Sequence, residues 1–247
     1  MKKVSVVIPT LQKNTELLNN LIKSLDKDDA VTEIIVIDNS RKNYNHKSSK
    51  LKVIVPNENL FVNPSWNLGV KTSKEDIVAL LNDDITIPQD FCKNIISQMH
   101  PQMGIAGVHS SCVEVTREIK PIIESEKPVL QKTDYMGGKN FGIAMFFYKT
   151  SYIEIPEDIK IFCGDDWLFY KNKKCRRENY FITLAKIYHY GSLTSKDNFG
   201  FPRKHDLKLY RKYTMSWYQY ILNFERDEKG IKITVPGLTT HLRIFKN

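Results

Sequence analysis

The sequence predicts an α/β fold, a largely parallel sheet covered by helices on both faces, and three observations predict it. Two runs dense in β-branched residues, VSVVIP (Val4 to Pro9) and EIIVIDNS (Glu33 to Ser40), flank a segment that carries Leu17, Leu18, Leu21, Ile22 and Leu25 at helical spacing. The same alternation of strand and helix then repeats along the chain. Polar residues also recur directly after the strands, at Thr10, at Asp38 and at the cluster Asn82, Asp83 and Asp84. Ligands on open α/β sheets bind beyond the carboxyl ends of the strands, so these residues are expected at one rim although they lie far apart in sequence.

The opening MKKVSVVIPT sets two lysines before an apolar stretch, but that stretch runs only from Val4 to Ile8 and stops at Pro9. It is too short for a secretory core and reads as a first strand. The second strand ends in Asp38, Asn39 and Ser40, and the polar tract Arg41 to Lys50 is a loop. A third strand, Leu51 to Pro56, leads through NENLFVNPSWNLGVKTS into a helix that carries Trp66 and Leu68. IVALLNDDITIP, Ile77 to Pro88, is then a buried strand that stops at Asn82, Asp83 and Asp84. Alone, such a trio is a solvated turn. Beside other rim acids, two adjacent carboxylates that are costly to bury unpaired point to a cation or a cleft.

The second half changes character. A helix over Phe91 to Met99 and a strand over Gly104 to Ser111 precede a looser segment, Val113 to Tyr135, that reads as an insertion or an edge hairpin. GGKNFGIAMFFYKT, Gly137 to Thr150, has glycines ahead of an apolar strand, which suit either close approach to a ligand or a tight turn. In FCGDDWLFYKNKK, Asp165 and Asp166 suit the first turn of a helix, where acids meet the helix dipole. The dipole accounts for one carboxylate, and the pair suits general-base chemistry. The basic run Lys173, Lys174, Arg176 and Arg177 reads as a solvated face. ITLAKIYHYGSLTS, Ile182 to Ser195, reads as a strand ending in His189, with Gly191 and Ser192 after it. The tail opens with a basic loop that includes Arg203 and Lys204. A helix follows with Leu207, Tyr210, Trp217, Ile221 and Phe224 on one face.

Composition bounds the function. The chain has 247 residues, 41% of them hydrophobic and 11% aromatic, which is a globular chain with a sizeable core. No run of eighteen apolar residues is present, so no membrane-spanning helix is expected. Cys92, Cys112, Cys163 and Cys175 are scattered with no CxxC pair, which argues against a zinc site or a disulfide framework and suits a reducing cytosol. The net charge of +9 favours an anionic partner, whether nucleotide, nucleic acid or membrane surface.

In order and spacing these motifs together resemble the family 2 glycosyltransferases, nucleotide-sugar enzymes of GT-A fold. VSVVIPT is similar to the family's first strand, and Asp38 falls where the family reads the nucleotide base. ENLFVNPSWNLG resembles its Asn-rich loop, with Asn59, Asn67 and Gly69 in register and Phe61 where a glycine is usual. NDD stands at the DxD position, with Asn82 replacing the first Asp. GDD stands at the later acidic pair and HYGS at the late His motif. The resemblance implies a Rossmann-like mixed sheet in a GT-A domain over residues 1–195. Its nucleotide-sugar half would be 1–112 and its acceptor half 113–195, with a small C-terminal extension over 196–247. It further implies that Pro9, Thr10, Asp38, Asn67, Asn82 and Asp83 contact a nucleotide diphosphate sugar, with uridine as the base. Asp84 and His189 would hold Mn2+ or Mg2+. Asp166, or failing that Asp165, would take the acceptor proton. Trp167, Arg203 and Lys204 are the expected acceptor contacts, the last two beyond the resemblance, which runs to about Ser195. The expected reaction is a single displacement with inversion. The expected acceptor is a bacterial surface saccharide, reached by a protein docked peripherally on anionic lipid. The alternatives are a viral enzyme that glycosylates hydroxymethylated bases of duplex DNA, and a non-catalytic binding protein on the same fold.

Overall fold

The computed structural model describes residues 1–134, 141–191 and 203–215, together with the backbone of three strands after them. The chain runs β1 (Val4–Thr10), α1 (Thr15–Asp26), β2 (Val31–Asp38), β3 (Leu51–Ile54), α2 (Val62–Thr72) and β4 (Ile77–Leu81). Then come β5 (Ile85–Thr86), α3 (Phe91–Gln98), β6 (Met103–Val108), β7 (Val113–Val115), β8 (Val129–Thr133) and β9 (Ala144–Tyr148). It continues through α4 (Gly164–Lys174), β10 (Glu178–Thr183), β11 (Ile187–His189) and α5 (Arg203–Thr214) to β12 (Asn223–Asp227), β13 (Gly230–Thr234) and β14 (His241–Phe245).

Eight strands form the main sheet in the order β3-β2-β1-β4-β9-β6-β10-β8. β1 pairs in parallel with both β2 and β4, while β9 lies antiparallel between β4 and β6. The chain therefore builds outward from β1 in one direction and then returns to its other side. Loops leaving β1 and β4 diverge at that reversal and open a crevice at the carboxyl ends of the strands. β9, β10 and β8, from the second half of the chain, share the main sheet with the first strands.

The unbroken apolar strands are explained by burial on both faces. On one face α1 and α3 supply Leu18, Leu21, Ile22, Leu25, Phe91 and Ile95. On the other, α2 and α4 supply Trp66, Val70, Leu168 and Phe169. Each such side chain, fully buried, contributes about 1.5–3 kcal/mol. Asn14 caps α1 by accepting hydrogen bonds from the Glu16 and Leu17 amides, both at 3.1 Å. At Gly69 an added Cβ would lie 2.2 Å from Val7 Cγ1, so α2 packs on β1 more closely than any other residue there permits.

Three expectations are corrected. The stretch from Ile182 is two strands in two sheets, because Leu184 adopts a left-handed conformation (φ 68°) that ends β10 and lets β11 leave to pair with β5 and β7. The looser segment is not an edge hairpin, because β7 joins the small sheet beside β11 while β8 forms the edge of the large one against β10. The helix that carries Leu207 and Tyr210 ends at Thr214, and Phe224 belongs to strand β12, so Phe224 does not share a helical face with them. Trp217, Ile221, Gly137, Gly138 and Ser192 lie outside the described residues.

Candidate active site

A cleft of about 690 Å³ opens at the carboxyl ends of β1 and β4. Pro9 and Thr10 line it from β1, and Asn82, Asp83 and Asp84 from the loop after β4. The backbone of that loop is tied on two sides. The Asn82 amide donates to the Ile143 carbonyl just before β9, and the Tyr190 amide donates to the Asp84 carbonyl, both at 3.0 Å.

The side chains are coupled as well. Thr10 Oγ1 donates to Asp83 Oδ2 at 2.5 Å. Burial, reinforced by the charge of Asp84, pushes the Asp83 carboxyl up to about 7, and the Thr10 hydrogen bond opposes this only in part. Asp84 is itself buried, and its Oδ1 lies 3.3 Å from His189 Nε2. Strand pairing produces that meeting, since β11 sets His189 opposite Ile85, the residue after Asp84.

This donor set fits a divalent cation. Asp84 and His189 present an oxygen and a nitrogen within a few ångströms of each other, and the unfavourable charge at Asp83 is one a cation would relieve. Among the described residues no cluster of three or more acids, histidines or cysteines forms a protein-only cage. Mg2+-like ions are commonly held by one or two carboxylates together with substrate phosphates and water, which is the arrangement these residues permit.

A second acidic group enters the same cleft at the start of α4. Asp165 Oδ2 accepts from the Gly142 amide at 3.1 Å, and its Oδ1 accepts from the Asp166 amide at 3.0 Å. Burial pushes the Asp165 carboxyl up, against the pull of these backbone bonds. Asp165 is thus held by backbone donors, and it lines the cleft together with Asp166 from the same helical turn.

The loop that delivers this pair is clamped from both sides by fully buried polar groups. From α2, Asn63 Nδ2 donates to the Ile159 and Phe162 carbonyls at 3.1 and 3.2 Å. From α5, the Asp206 carboxylate accepts from the Lys160, Ile161 and Phe162 amides at 3.3, 2.8 and 2.9 Å. Both side chains are 0% exposed. Asp206 escaped the sequence reading, and its one signal was its isolation as the lone acid in the otherwise cationic stretch RKHDLKLYRK.

Of the expected site residues, Pro9, Thr10, Asn82, Asp83, Asp84, Asp165, Asp166, His189 and Arg203 line the cleft. Asp38, Asn67, Trp167 and Lys204 do not. The Asp38 carboxylate is fully buried and accepts from the Ser40 amide and hydroxyl, from Gln12 Nε2 and from the Tyr44 amide. Burial raises its carboxyl, but these bonds outweigh burial and leave it below its ordinary value. Asn67 spends its amide on Tyr152 and Ile155, holding the 152–155 segment against α2. The Trp167 indole donates to the Ile153 and Glu154 carbonyls, so it is packing. Lys204 is exposed on α5. Residues absent from the expectation but present in the cleft include Asn39, Phe61, Trp66 and Cys163.

No curated protein sequence matches the chain. Solved structures share its fold. TarS 1-349 of S. aureus is 12% identical over 99% of this chain and 100% of that one, with a TM-score of 0.57. The TarS 1-349 structure in complex with UDP-GlcNAc is 16% identical over 92% and 68%, with a TM-score of 0.59. GalNAc-T7 with UDP, GalNAc and Mn2+ is 14% identical over 88% of this chain and 49% of that one, with a TM-score of 0.62. The chain thus spans about half of the GalNAc-T7 chain, and at these identities the likeness concerns the GT-A fold. The sequence model described as Glycosyl transferase family 2 matches residues 5–176, which takes in both acidic clusters and leaves His189 and Asp206 beyond its end. With its sheet, its cleft and more than half of its length accounted for in this way, the chain belongs to glycosyl transferase family 2 and is a glycosyltransferase of GT-A fold.

Proposed function

We propose that the protein moves a sugar from a nucleotide diphosphate sugar, with uridine as the base, to a saccharide hydroxyl by a single inverting displacement. The observation that carries this reading is that two acidic groups, one after β4 and one opening α4, share a single cleft at the topological reversal of the sheet. That neighbours of the same fold were solved with UDP and with UDP-GlcNAc supports the choice of donor.

Each group has a distinct task. Asp84 and His189 would hold Mn2+ or Mg2+, which when bound supplies positive charge to the departing diphosphate. Asp83 and Thr10 form a hydrogen-bonded pair beside it that fixes the direction of the loop. Asp165 braces the start of α4 against the Gly142 backbone, and this orients Asp166. Asp166 takes the proton from the acceptor hydroxyl as its oxygen attacks the anomeric carbon in line. The bond to the diphosphate oxygen breaks, and the nucleoside diphosphate leaves with that electron pair.

Asp166→Asn is expected to bind donor as the wild type does and to lose transfer by about 10²–10⁴-fold, the usual worth of a general base. Unchanged transfer would move the role to Asp165 or end the proposal. A second reading of the acceptor, hydroxymethylated bases in duplex DNA, draws on one observation. Lys204, Lys208, Arg211 and Lys212 form an exposed stripe on α5 without an ion pair among the described residues. Steeply salt-sensitive binding to duplex DNA without binding to anionic vesicles would favour it, and vesicle binding alone would favour peripheral docking at a membrane.

A further inference from the structure

We infer that Phe61 is the platform on which the nucleobase of the donor stacks, and so a determinant of donor recognition; this rests on reading the cleft as a nucleotide-sugar site. Position comes first. The sheet order places β2, β1, β4 and β9 side by side, with Asp84 after β4 and the Asp165 partner Gly142 just before β9. A diphosphate held at Asp84, with the acceptor chemistry on the β9 side, sends the nucleoside the other way, across β1 toward the end of β2. Asn39 marks the end of β2 in the cleft, and Phe61, at the entry to α2, lines the cleft there.

The backbone of Phe61 is unusual. Its φ of 66° and ψ of −165° fall in a region essentially reserved for glycine, and for an aromatic residue this is strained. Such a conformation persists only where its surroundings impose it, and here they do. Asn39 Oδ1 accepts from the Leu60 amide at 2.9 Å, and Asn39 Nδ2 donates to the Phe61 carbonyl at 3.4 Å and to Ser65 Oγ at 2.9 Å. Asn59 Oδ1 accepts from the Phe61 amide at 2.8 Å, and Ser65 Oγ donates to the Phe61 carbonyl. The fold holds a large residue at a position that glycine would occupy without strain, and that residue lines the cleft.

Trp66 adds an independent sign of a ligand. It lines the same cleft and is 3% exposed, and its indole Nε1 has no hydrogen-bond partner among the described residues. A buried donor left in this way is costly until an oxygen meets it, and the ring carbonyls of a pyrimidine are oxygens of that kind.

The strain makes the test unusually clean, because removing the ring is expected to move stability and affinity in opposite directions. UDP and inorganic pyrophosphate, each with Mn2+, are titrated into the wild type, Phe61→Gly and Phe61→Tyr, with the melting temperature of each protein measured alongside. Phe61→Gly is expected to keep or raise the melting temperature, since glycine accepts this φ. It is expected to weaken UDP by about five- to a hundredfold, the range of base–aromatic stacking, and to leave pyrophosphate unchanged. Phe61→Tyr keeps the ring and should keep UDP affinity. Equal UDP binding by Phe61→Gly and the wild type would overturn the inference. So would a matching loss on UDP and pyrophosphate, which would assign the ring to the phosphates. A wild type that binds pyrophosphate but not UDP would instead sink the underlying reading of the cleft as a nucleotide site.

Discussion

Asp38 shows how one residue type at one position can carry two meanings. An acid at the end of a parallel strand is placed where ligands bind, and resemblance points the same way. The structure, however, folds Ser40, Gln12 and Tyr44 back onto both of its oxygens. Its carboxyl is lowered, so it contributes stability that is present above the unfolded value near 3.8 and is lost as pH falls through the lower folded value. Asp38→Asn is therefore expected to cost about 1–3 kcal/mol at neutral pH, the worth of hydrogen bonds to a charged group, and progressively less in acid. Urea unfolding of both proteins across that range checks it, and a difference independent of pH would contradict the assignment. Asn67 had the same ambiguity and resolved the same way, its amide consumed by Tyr152 and Ile155. Sequence spacing finds polar residues near a rim, but it does not record which of them the nearby chain has already claimed.

At the scale of elements, the apolar strands and α1 were legible because burial on both faces leaves an unbroken apolar run and a clean helical period. The break between β10 and β11 was not, because Leu184 is an ordinary apolar residue in an apolar run, and only its left-handed backbone divides the two. The role of α5 was likewise hidden. Its aromatics looked like the informative feature, yet the single buried acid among them, Asp206, binds the loop that leads into Asp165 and Asp166. Asp206→Ala would leave three amides without their acceptor, each worth about 1–3 kcal/mol if kept from water. The expected outcome is a melting temperature lower by several degrees and reduced transfer, with UDP affinity close to that of the wild type, since Asp84 and Phe61 sit on other elements. Asp206→Asn, which retains one carbonyl acceptor, should recover part of both losses. Full transfer by Asp206→Ala, measured against UDP affinity in the same preparation, would remove α5 from the account of the site.

For the whole molecule, topology did most of the work of assembling the site. Thr10, Asp84, Asp166 and His189 come from four separated parts of the chain, and the reversal of strand order beside β1 brings them into one cleft. That convergence was foreseeable, because every parallel strand ends at the same edge. The small sheet that seats His189 beside Asp84 was not, because β5 has two residues and β7 and β11 three each, too few to show a period. The charge of the molecule acts at this scale as well. A net +9 around a cleft lined by four carboxylates suits a donor whose diphosphate would meet positive charge locally, from a cation held by Asp84 and His189 and from Arg203 on the cleft wall.

The most direct test of the central claim is the thermal stabilisation of the wild type and Asp84→Ala by UDP, with and without Mn2+. The wild type is expected to melt at a clearly higher temperature only with both UDP and Mn2+ present, a stabilisation of about 2.7 kcal/mol at one hundred times the dissociation constant, and Asp84→Ala is expected to lose it. A wild type that no nucleoside diphosphate stabilises, or an Asp84→Ala protein stabilised to the same extent in Mn2+, would contradict it.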